Sequence, residues 1–394
     1  MNTTQNVVIA GAARTPMGGF QGSLSTLTAA DLGGAAIAGA LADTGADLPI
    51  DEVIMGCVLP AGQGQAPARQ AGFAAGLDQS VPALTINKMC GSGMRAVMQA
   101  ADQIALGCAQ TIVAGGMESM SNAPYLLPKI RDGARIGHGQ VVDSMFLDGL
   151  EDAYSRGTLM GVFAEECAEA YQFSRTDQDN YALASLARAQ AAQEQGHFNR
   201  EIVPVTAHRG RDTVQVTEDE QPKLARPEKV PHLKPAFKPD GTVTAANASS
   251  ISDGAAALVI SSEGNADAYG LQPRAIIMGH ATHAQAPKDY TTAPAHAARK
   301  LLDHVGWATS DVDLWEVNEA FAVVAMAFMH DMGLSHDVVN VNGGACALGH
   351  PIGASGARIL VTLLNAMERQ DVKRGVAAIC IGGGEATAVA IERP

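Results

Sequence analysis

The chain has 394 residues, 47% hydrophobic and only 17% charged, enough for two or three domains' worth of core. A net charge of -14 excludes a nucleic-acid binder working through a basic face, but not a site for a small anion, because charge acts locally. The six cysteines (Cys57, Cys90, Cys108, Cys167, Cys346, Cys380) form no CxxC pair and no compact framework, which reads as reduced intracellular thiols.

Residues 1–121 alternate short apolar runs with helical patterns. Strands are expected at Val7 to Ala10, Glu52 to Cys57 and Thr111 to Gly115, with helices at Ala29 to Thr44, Pro67 to Ala75 and Met94 to Gly107. Residues 122–250 differ: they carry prolines, charges and a helix at Thr176 to Gln195 with Asp177 near its start. Arg200, Arg209, Arg211, Lys223, Arg226, Lys229, Lys234 and Lys238 concentrate positive charge there, as a solvated surface or as a patch for a phosphorylated ligand. The α/β pattern then returns, with strands at Ala255 to Ser261, Val312 to Val317 and Val376 to Ile381. Helices are expected at Ala295 to His304, Ala320 to His330 and Ser355 to Met367. The opening residues run quickly into a strand, without a basic stretch leading into an apolar one. No run of roughly 18 apolar residues follows, and Ile391-Glu392-Arg393-Pro394 is not a peroxisomal address, so the expectation is a soluble cytoplasmic protein.

Two segments repeat in order. Gly91-Ser92-Gly93-Met94-Arg95 is followed by an apolar helix, a strand and Gly115-Gly116-Met117-Glu118. Ala354-Ser355-Gly356-Ala357-Arg358 is followed by a helix, a strand and Gly382-Gly383-Gly384-Glu385. This matching order predicts a duplicated α/β unit, with equivalent helix starts meeting at a pseudo-two-fold axis.

Cys90 lies between an extended approach (Val81 to Ile86) and a helical run from Met94, among glycines that permit a sharp turn. A helix N-terminus there favours a thiolate, the nucleophilic form; alternatively Cys90 is one more buried cysteine. His350, in Ala347-Leu348-Gly349-His350-Pro351, is either a structural turn residue or a base for a nearby thiol. Cys380 ends a buried strand at a glycine corner, as a small core residue or as a functional group delivered where α/β strands end. That corner's bare N–H groups suit a developing oxyanion. Asn318 is either a helix cap or a holder of water or a substrate oxygen. His280 and His283 make an HxxH without an adjacent catalytic Glu, read as surface or strand histidines. No Walker or Rossmann glycine motif is present.

On these residues the sequence resembles the thiolase family over essentially its whole length. The segments that carry the resemblance are Asn87 to Arg95, Ala114 to Ser121, Gly241 to Ser249, Asn318-Glu319-Ala320-Phe321, Gly343 to Gly353 and Cys380 to Gly384. The likeness is to the biosynthetic, acetoacetyl-CoA type rather than the long-chain degradative type.

The resemblance implies a five-layered αβαβα fold of two duplicated βαβαβαββ halves. These are residues 1–121 with a returning strand at about 251–272, and residues 273–394; residues 122–250 are an inserted loop domain covering coenzyme A. The implied activity is the reversible Claisen condensation of two acetyl-CoA to acetoacetyl-CoA and CoA through an acetyl-cysteine. The alternatives are a broader 3-ketoacyl-CoA thiolase and a non-catalytic acyl-CoA-binding protein, which would be expected to lack Cys90, His350 or Cys380.

By the same resemblance Cys90 accepts the acyl group and His350 activates it. Cys380 removes the α-proton and protonates the leaving thiol in reverse. Asn318 holds a water that forms one oxyanion hole with His350, and the N–H groups of Cys90 and Gly382 form the other. Ser249, Phe237, Met160 and Phe321 fall at the coenzyme A site, and Lys223 or Arg226 supplies a phosphate contact. Coenzyme A is substrate and product, with no cofactor required. Some relatives hold potassium, here near Tyr181, Ala245 and Ala246. The implied assembly is a homotetramer, a dimer of dimers. One departure stands out: Leu159-Met160-Gly161 replaces a frequent His-Met-Gly.

Overall fold

The computed structural model describes residues 5–394, except the side chain of Arg209, which lies outside the described residues. The first half contributes strands β1 (Val7–Arg14), β2 (Glu52–Gly56), β3 (Ala83–Ile86), β4 (Thr111–Ser119) and β5 (Ser252–Ser262). The second half contributes β6 (Ala275–Ala284), β7 (Leu314–Val317), β8 (Arg374–Ile381) and β9 (Glu385–Glu392).

They run in the order β7-β8-β9-β6-β1-β5-β4-β2-β3. The junction between the halves is thin, with β1 and β6 pairing only through Val8↔Ile276 and Ile9↔Ala275. On either side the pattern repeats. β2 is parallel to β4 as β7 is to β8, and β4–β5–β1 is antiparallel as β8–β9–β6 is. The second-half counterpart of β3 shrinks to a parallel bridge between Trp315 and Val339. This shared order and polarity is the duplicated unit that the repeated motifs predict.

Helices fill the layers between and outside the sheets. α1 (Ala29–Thr44) and α2 (Pro67–Ala74) cover the outer face of the first half. α3 (Ser92–Ala105) and α8 (Ile352–Gln370) lie between the two half-sheets. α6 (Ala293–Val305) and α7 (Ala322–Met332) cover the outer face of the second half. Three apolar cores separate five layers, the αβαβα fold. Local signals set the ends: Thr28 and Asp31 make a reciprocal capping box for α1, and Gly45 closes it in the left-handed conformation at φ 67°.

The middle layer is the most buried. α8 is enclosed from Ile352 through Met367, which accounts for its near-continuous apolar sequence. Close approach of the two central helices rests on glycine. A Cβ on Gly93 would stand 2.9 Å from the Ala357 nitrogen, and one on Gly356 would stand 2.5 Å from the Met94 nitrogen. The two helix starts thus meet at the duplication axis.

Residues 122–250 carry α4 (Met160–Tyr171) and α5 (Arg175–Glu194), the latter opened by a Ser174–Asp177 capping box. Buried Arg14 of β1 binds this segment, through Glu201 (2.6 Å) and Asp219 (2.6 and 2.9 Å). Among the described residues no helix is long and apolar enough to cross a membrane.

Candidate active site

Cys90 sits just before α3, whose N-cap, Gly91, offers no side-chain hydrogen bond. The turn that presents it is built from its neighbours. The Gly91 N–H donates to the Lys88 carbonyl (3.0 Å), the Lys88 N–H donates to Ser92 Oγ (2.8 Å), and Ser92 Oγ donates to the Met89 carbonyl (2.6 Å). Met89 adopts φ 46°, a left-handed conformation uncommon outside glycine, immediately before the cysteine. Apolar side chains surround Cys90, including Val58, Leu59, Met120, Met145 and Ile352. Burial pushes its thiol up to about 11, against the N–H groups of Gly382 and of Cys90 itself, which favour the thiolate. The helix end alone therefore does not make a resting thiolate, as the sequence suggested it would; desolvation outweighs it, and a base is needed.

The residue that the sequence names for that role is His350. It is 7% exposed, in the turn between the short helix Ala345–Leu348 and α8. Burial, with the Arg358 cation as a second cause, lowers it to about 3, so the imidazole is neutral at rest. Its Nδ1 lies 2.5 Å from Ser355 Oγ, and that hydroxyl donates to the Pro351 carbonyl at 2.9 Å. The serine proton being committed, Nδ1 carries the histidine proton and donates it to Ser355. Nε2 is left as a bare lone pair, buried and, among the described residues, without a partner.

Asn318 is the second orphan. It is fully buried, its N–H donates to the Ala378 carbonyl (3.0 Å), and among the described residues neither Oδ1 nor Nδ2 has a partner. It is not the cap of the next helix: α7 begins at Ala322 with Phe321 as N-cap, two residues later than the sequence pattern suggested. An unsatisfied buried polar group costs about 1–3 kcal/mol. Asn318 and His350 Nε2 are thus two buried polar groups left unpaired among the described residues.

Cys380 lies near the end of β8, 1% exposed, packed with Phe163, Tyr290, Ala320 and Val324. Burial raises its thiol well above the usual range, and a negative charge on Cys90 would raise it further, so the two sulfurs are near enough to interact electrostatically. Gly382 follows, then Gly383 and Gly384 at φ 95° and 84°. Met160 closes over this corner, its Cε 3.6 Å from where a Gly382 Cβ would stand.

Several of the outer candidate residues lie against one another. Residues 247–249 pair with residues 320–322: the Ala322 N–H donates to the Asn247 carbonyl (2.8 Å), and both the N–H and Oγ of Ser249 donate to the Ala320 carbonyl (3.0 and 2.9 Å). The Phe237 and Phe321 rings meet edge-on at 5.8 Å. Leu159 is the N-cap of α4 and makes no side-chain hydrogen bond. Lys223 and Arg226 are exposed, and Lys223 is paired with Glu218. Arg200, in the same basic stretch, is paired with Glu368 (2.7 Å).

The residues named for potassium differ in setting. The buried Tyr181 hydroxyl donates to Glu319 Oε1 (2.8 Å) and accepts from Asn340 Nδ2 (3.3 Å), while Ala245 is exposed. Among the described residues no cluster of His, Cys, Asp or Glu could hold a metal. His280 pairs with Asp102 (2.8 Å) and His283 with Gln285 (3.0 Å).

Four supporting residues escaped the sequence reading. Glu118, buried, accepts N–H groups from Val58 (2.9 Å), Leu59 (3.1 Å) and Gly353 (2.8 Å), tying the floor beside Cys90 to the start of α8. Glu319, buried, accepts from Tyr181, Ser185 Oγ (2.8 Å), Asn340 (2.8 Å) and the Cys346 N–H (3.1 Å), holding the turn that leads to His350. Ser355 fixes the histidine tautomer. Tyr290, 2% exposed, donates to the Met160 carbonyl (3.1 Å) beside Cys380. The two acids sit inside motifs already singled out, where an acid amid apolar neighbours is the signal; Tyr290 lies in an irregular loop without one.

Comparison with known proteins agrees over the full length. The family model "Thiolase, N-terminal domain" matches residues 7–264, and "Thiolase, C-terminal domain" matches residues 271–393. The chain is 52% identical to acetyl-CoA acetyltransferase 2 of Arabidopsis thaliana, over 98% of this chain and 97% of the relative. It is 50% identical to an acetyl-CoA acetyltransferase of Cupriavidus necator, over 98% and 99%. The crystal structure of the Bacillus anthracis acetyl-CoA acetyltransferase superposes with a TM-score of 0.97 at 42% identity, covering 100% of both chains.

Proposed function

The chain belongs to the thiolase family, and from that premise we propose how its buried site carries out acyl transfer. The activity is that of an acetyl-CoA C-acetyltransferase, an acyltransferase joining two acetyl-CoA into acetoacetyl-CoA and CoA, reversibly. The single observation that supports the site assignment is the pair of buried polar groups, Asn318 and His350 Nε2, left unpaired among the described residues of a chain whose two buried thiols interact electrostatically.

His350 Nε2 takes the Cys90 proton, and the thiolate attacks the thioester carbonyl. The C–S bond to coenzyme A breaks and the departing thiolate takes the Cys380 proton, leaving acetyl-Cys90, a Cys380 thiolate and a protonated His350 that later returns its proton to Cys90. Sulfur replaces sulfur at the acyl carbon, so the exchange is nearly balanced in free energy. Cys380, as thiolate, removes an α-proton from the second acetyl-CoA. The resulting enolate forms the C–C bond to the acetyl carbonyl, and Cys90 leaves as thiolate and regains its proton. The N–H groups of Cys90 and Gly382 bind the oxyanion at the acetyl-cysteine. Asn318, through a water, and His350 bind the enolate oxygen.

Both thiols are neutral at rest, which keeps an apolar pocket free of uncompensated charge until substrate arrives. Ser249, Phe237, Met160 and Phe321 line the approach of the pantetheine and adenine. Lys223 or Arg226 meets a phosphate. No resident cofactor takes part, and coenzyme A is carried as substrate and product.

We further infer a cytoplasmic homotetramer, a dimer of dimers. Six free cysteines suit a reducing compartment. Tyr125, Leu127, Ile130, Ile136 and Val141, all exposed, give one segment an apolar surface suited to a partner subunit.

Thiolysis of acetoacetyl-CoA and 3-ketohexanoyl-CoA by the wild type and by Cys90→Ala tests the reading. The wild type favours the shorter substrate, and Cys90→Ala turns over neither; undiminished turnover by Cys90→Ala sinks the mechanism.

A further inference from the structure

Resting on the acyl-transfer chemistry proposed above, we infer that Lys88 and Glu385 form a positioning clamp that sets the spacing between the Cys90 N–H and the Gly382 N–H. These donors come from different halves of the chain, one before α3 and one after β8. No shared secondary structure fixes their separation, yet an oxyanion hole works only if both donors lie about 3 Å from the same oxygen.

Lys88 moves with Cys90, because its carbonyl accepts the Gly91 N–H (3.0 Å) and its own N–H donates to Ser92 Oγ (2.8 Å). Glu385 moves with Gly382. It is the first residue of β9, three positions on, and the Gln285 N–H anchors the intervening Gly384 carbonyl at 2.8 Å. Lys88 Nζ meets Glu385 Oε2, and among the described residues neither group has another hydrogen-bond partner. Beneath the pair, Gly91 packs so closely on the Ile381 side chain that a Cβ has no room.

The side chains are 24% and 35% exposed, and an ion pair so open to water adds little to global stability. What it supplies is a distance constraint across the two loops that hold the donors. Displacing reacting groups by about 1 Å costs up to roughly 100-fold in rate.

The test uses the full-length enzyme in acetoacetyl-CoA thiolysis, with kcat and KM resolved and melting temperature recorded. Lys88→Met and Glu385→Gln are each expected to lower kcat about ten-fold, with KM within about two-fold. Melting temperature should move by no more than ~2 °C. The exchanged pair, Lys88→Glu with Glu385→Lys, should recover kcat to within about three-fold of wild type, and Lys88→Arg should retain it. Unchanged kcat in both single variants overturns the clamp. So does a raised KM with full kcat in Lys88→Met alone, which would make Lys88 a substrate contact, or an exchanged pair that folds yet is no better than either single. Cys90→Ala, run alongside, separates the two ideas. If it is dead while the clamp variants are normal, only the clamp fails; if it is active, the acyl-transfer reading itself fails.

Discussion

The two halves carry the same Ser-Gly-x-Arg and Gly-Gly-x-Glu motifs on the same strand order, and they use them differently. Ser92 is the first residue of α3 and closes the turn that presents Cys90. Ser355 lies within α8 and holds His350 Nδ1. Gly115 and Gly116 stay inside β4, which continues to Ser119, past the end expected from sequence. Gly383 and Gly384 instead turn the chain in left-handed conformations and free the Gly382 N–H. Glu118 is buried among three backbone N–H groups, whereas Glu385 reaches out to Lys88. Duplication supplied two equivalent scaffolds meeting at one axis. On the mechanism proposed here, the loops that differ give one half the acyl carrier and the other the groups that handle protons.

The sharpest way to break this division is to remove one sulfur at a time. Cys90→Ala should lose at least ~10⁴-fold in turnover and take up no acetyl label from acetyl-CoA. Cys380→Ala should lose about 10²–10⁴-fold in condensation yet still become acetylated at Cys90, visible as a mass increase on that peptide. A Cys380→Ala enzyme that cannot be acetylated would erase the distinction between the halves.

Next come the equivalent serines. Ser355→Ala releases the histidine tautomer and should cost about 10–100-fold in kcat with a smaller change in KM. Ser92→Ala should act mainly on stability, at about 1 kcal/mol. Equal kinetic losses in the two variants would contradict their different roles.

A pH series tests the histidine. Its folded pKa, about 3, lies below its unfolded value of about 6.5, so the unfolded chain binds the extra proton first. His350 therefore costs stability progressively as pH falls from 6.5 towards 3. Its base function survives through that window, so kcat/KM should show no acid limb near 6.5. A limb there that disappears in a His350 variant would mean that the imidazole is more exposed than the fold places it. The smallest effect expected is none: exchanging K⁺ for Na⁺ should leave kcat and KM unchanged, because Tyr181 is committed to Glu319 and Asn340.

Much of this protein was determined by sequence alone. The alternation of elements, the repeated motifs and the glycines flanking Cys90, His350 and Cys380 are local features. Turn chemistry, helix caps and hydrophobic period act over a few residues, so the chain itself encodes them. β6 and β9 were not read as strands, because their place in the sheet depends on partners far along the chain.

The tertiary structure alone showed what surrounds the ambiguous residues. Asn318 looks like a helix cap until α7 starts late and leaves its amide buried without a partner. Cys90 looks like a thiolate at a helix end until desolvation is weighed against that dipole, which leaves the proton on the sulfur and the imidazole of His350 neutral. Protonation states and unpaired polar groups depend on what surrounds a side chain in space. For this site those surroundings come from both halves at once, and no single stretch of sequence contains them.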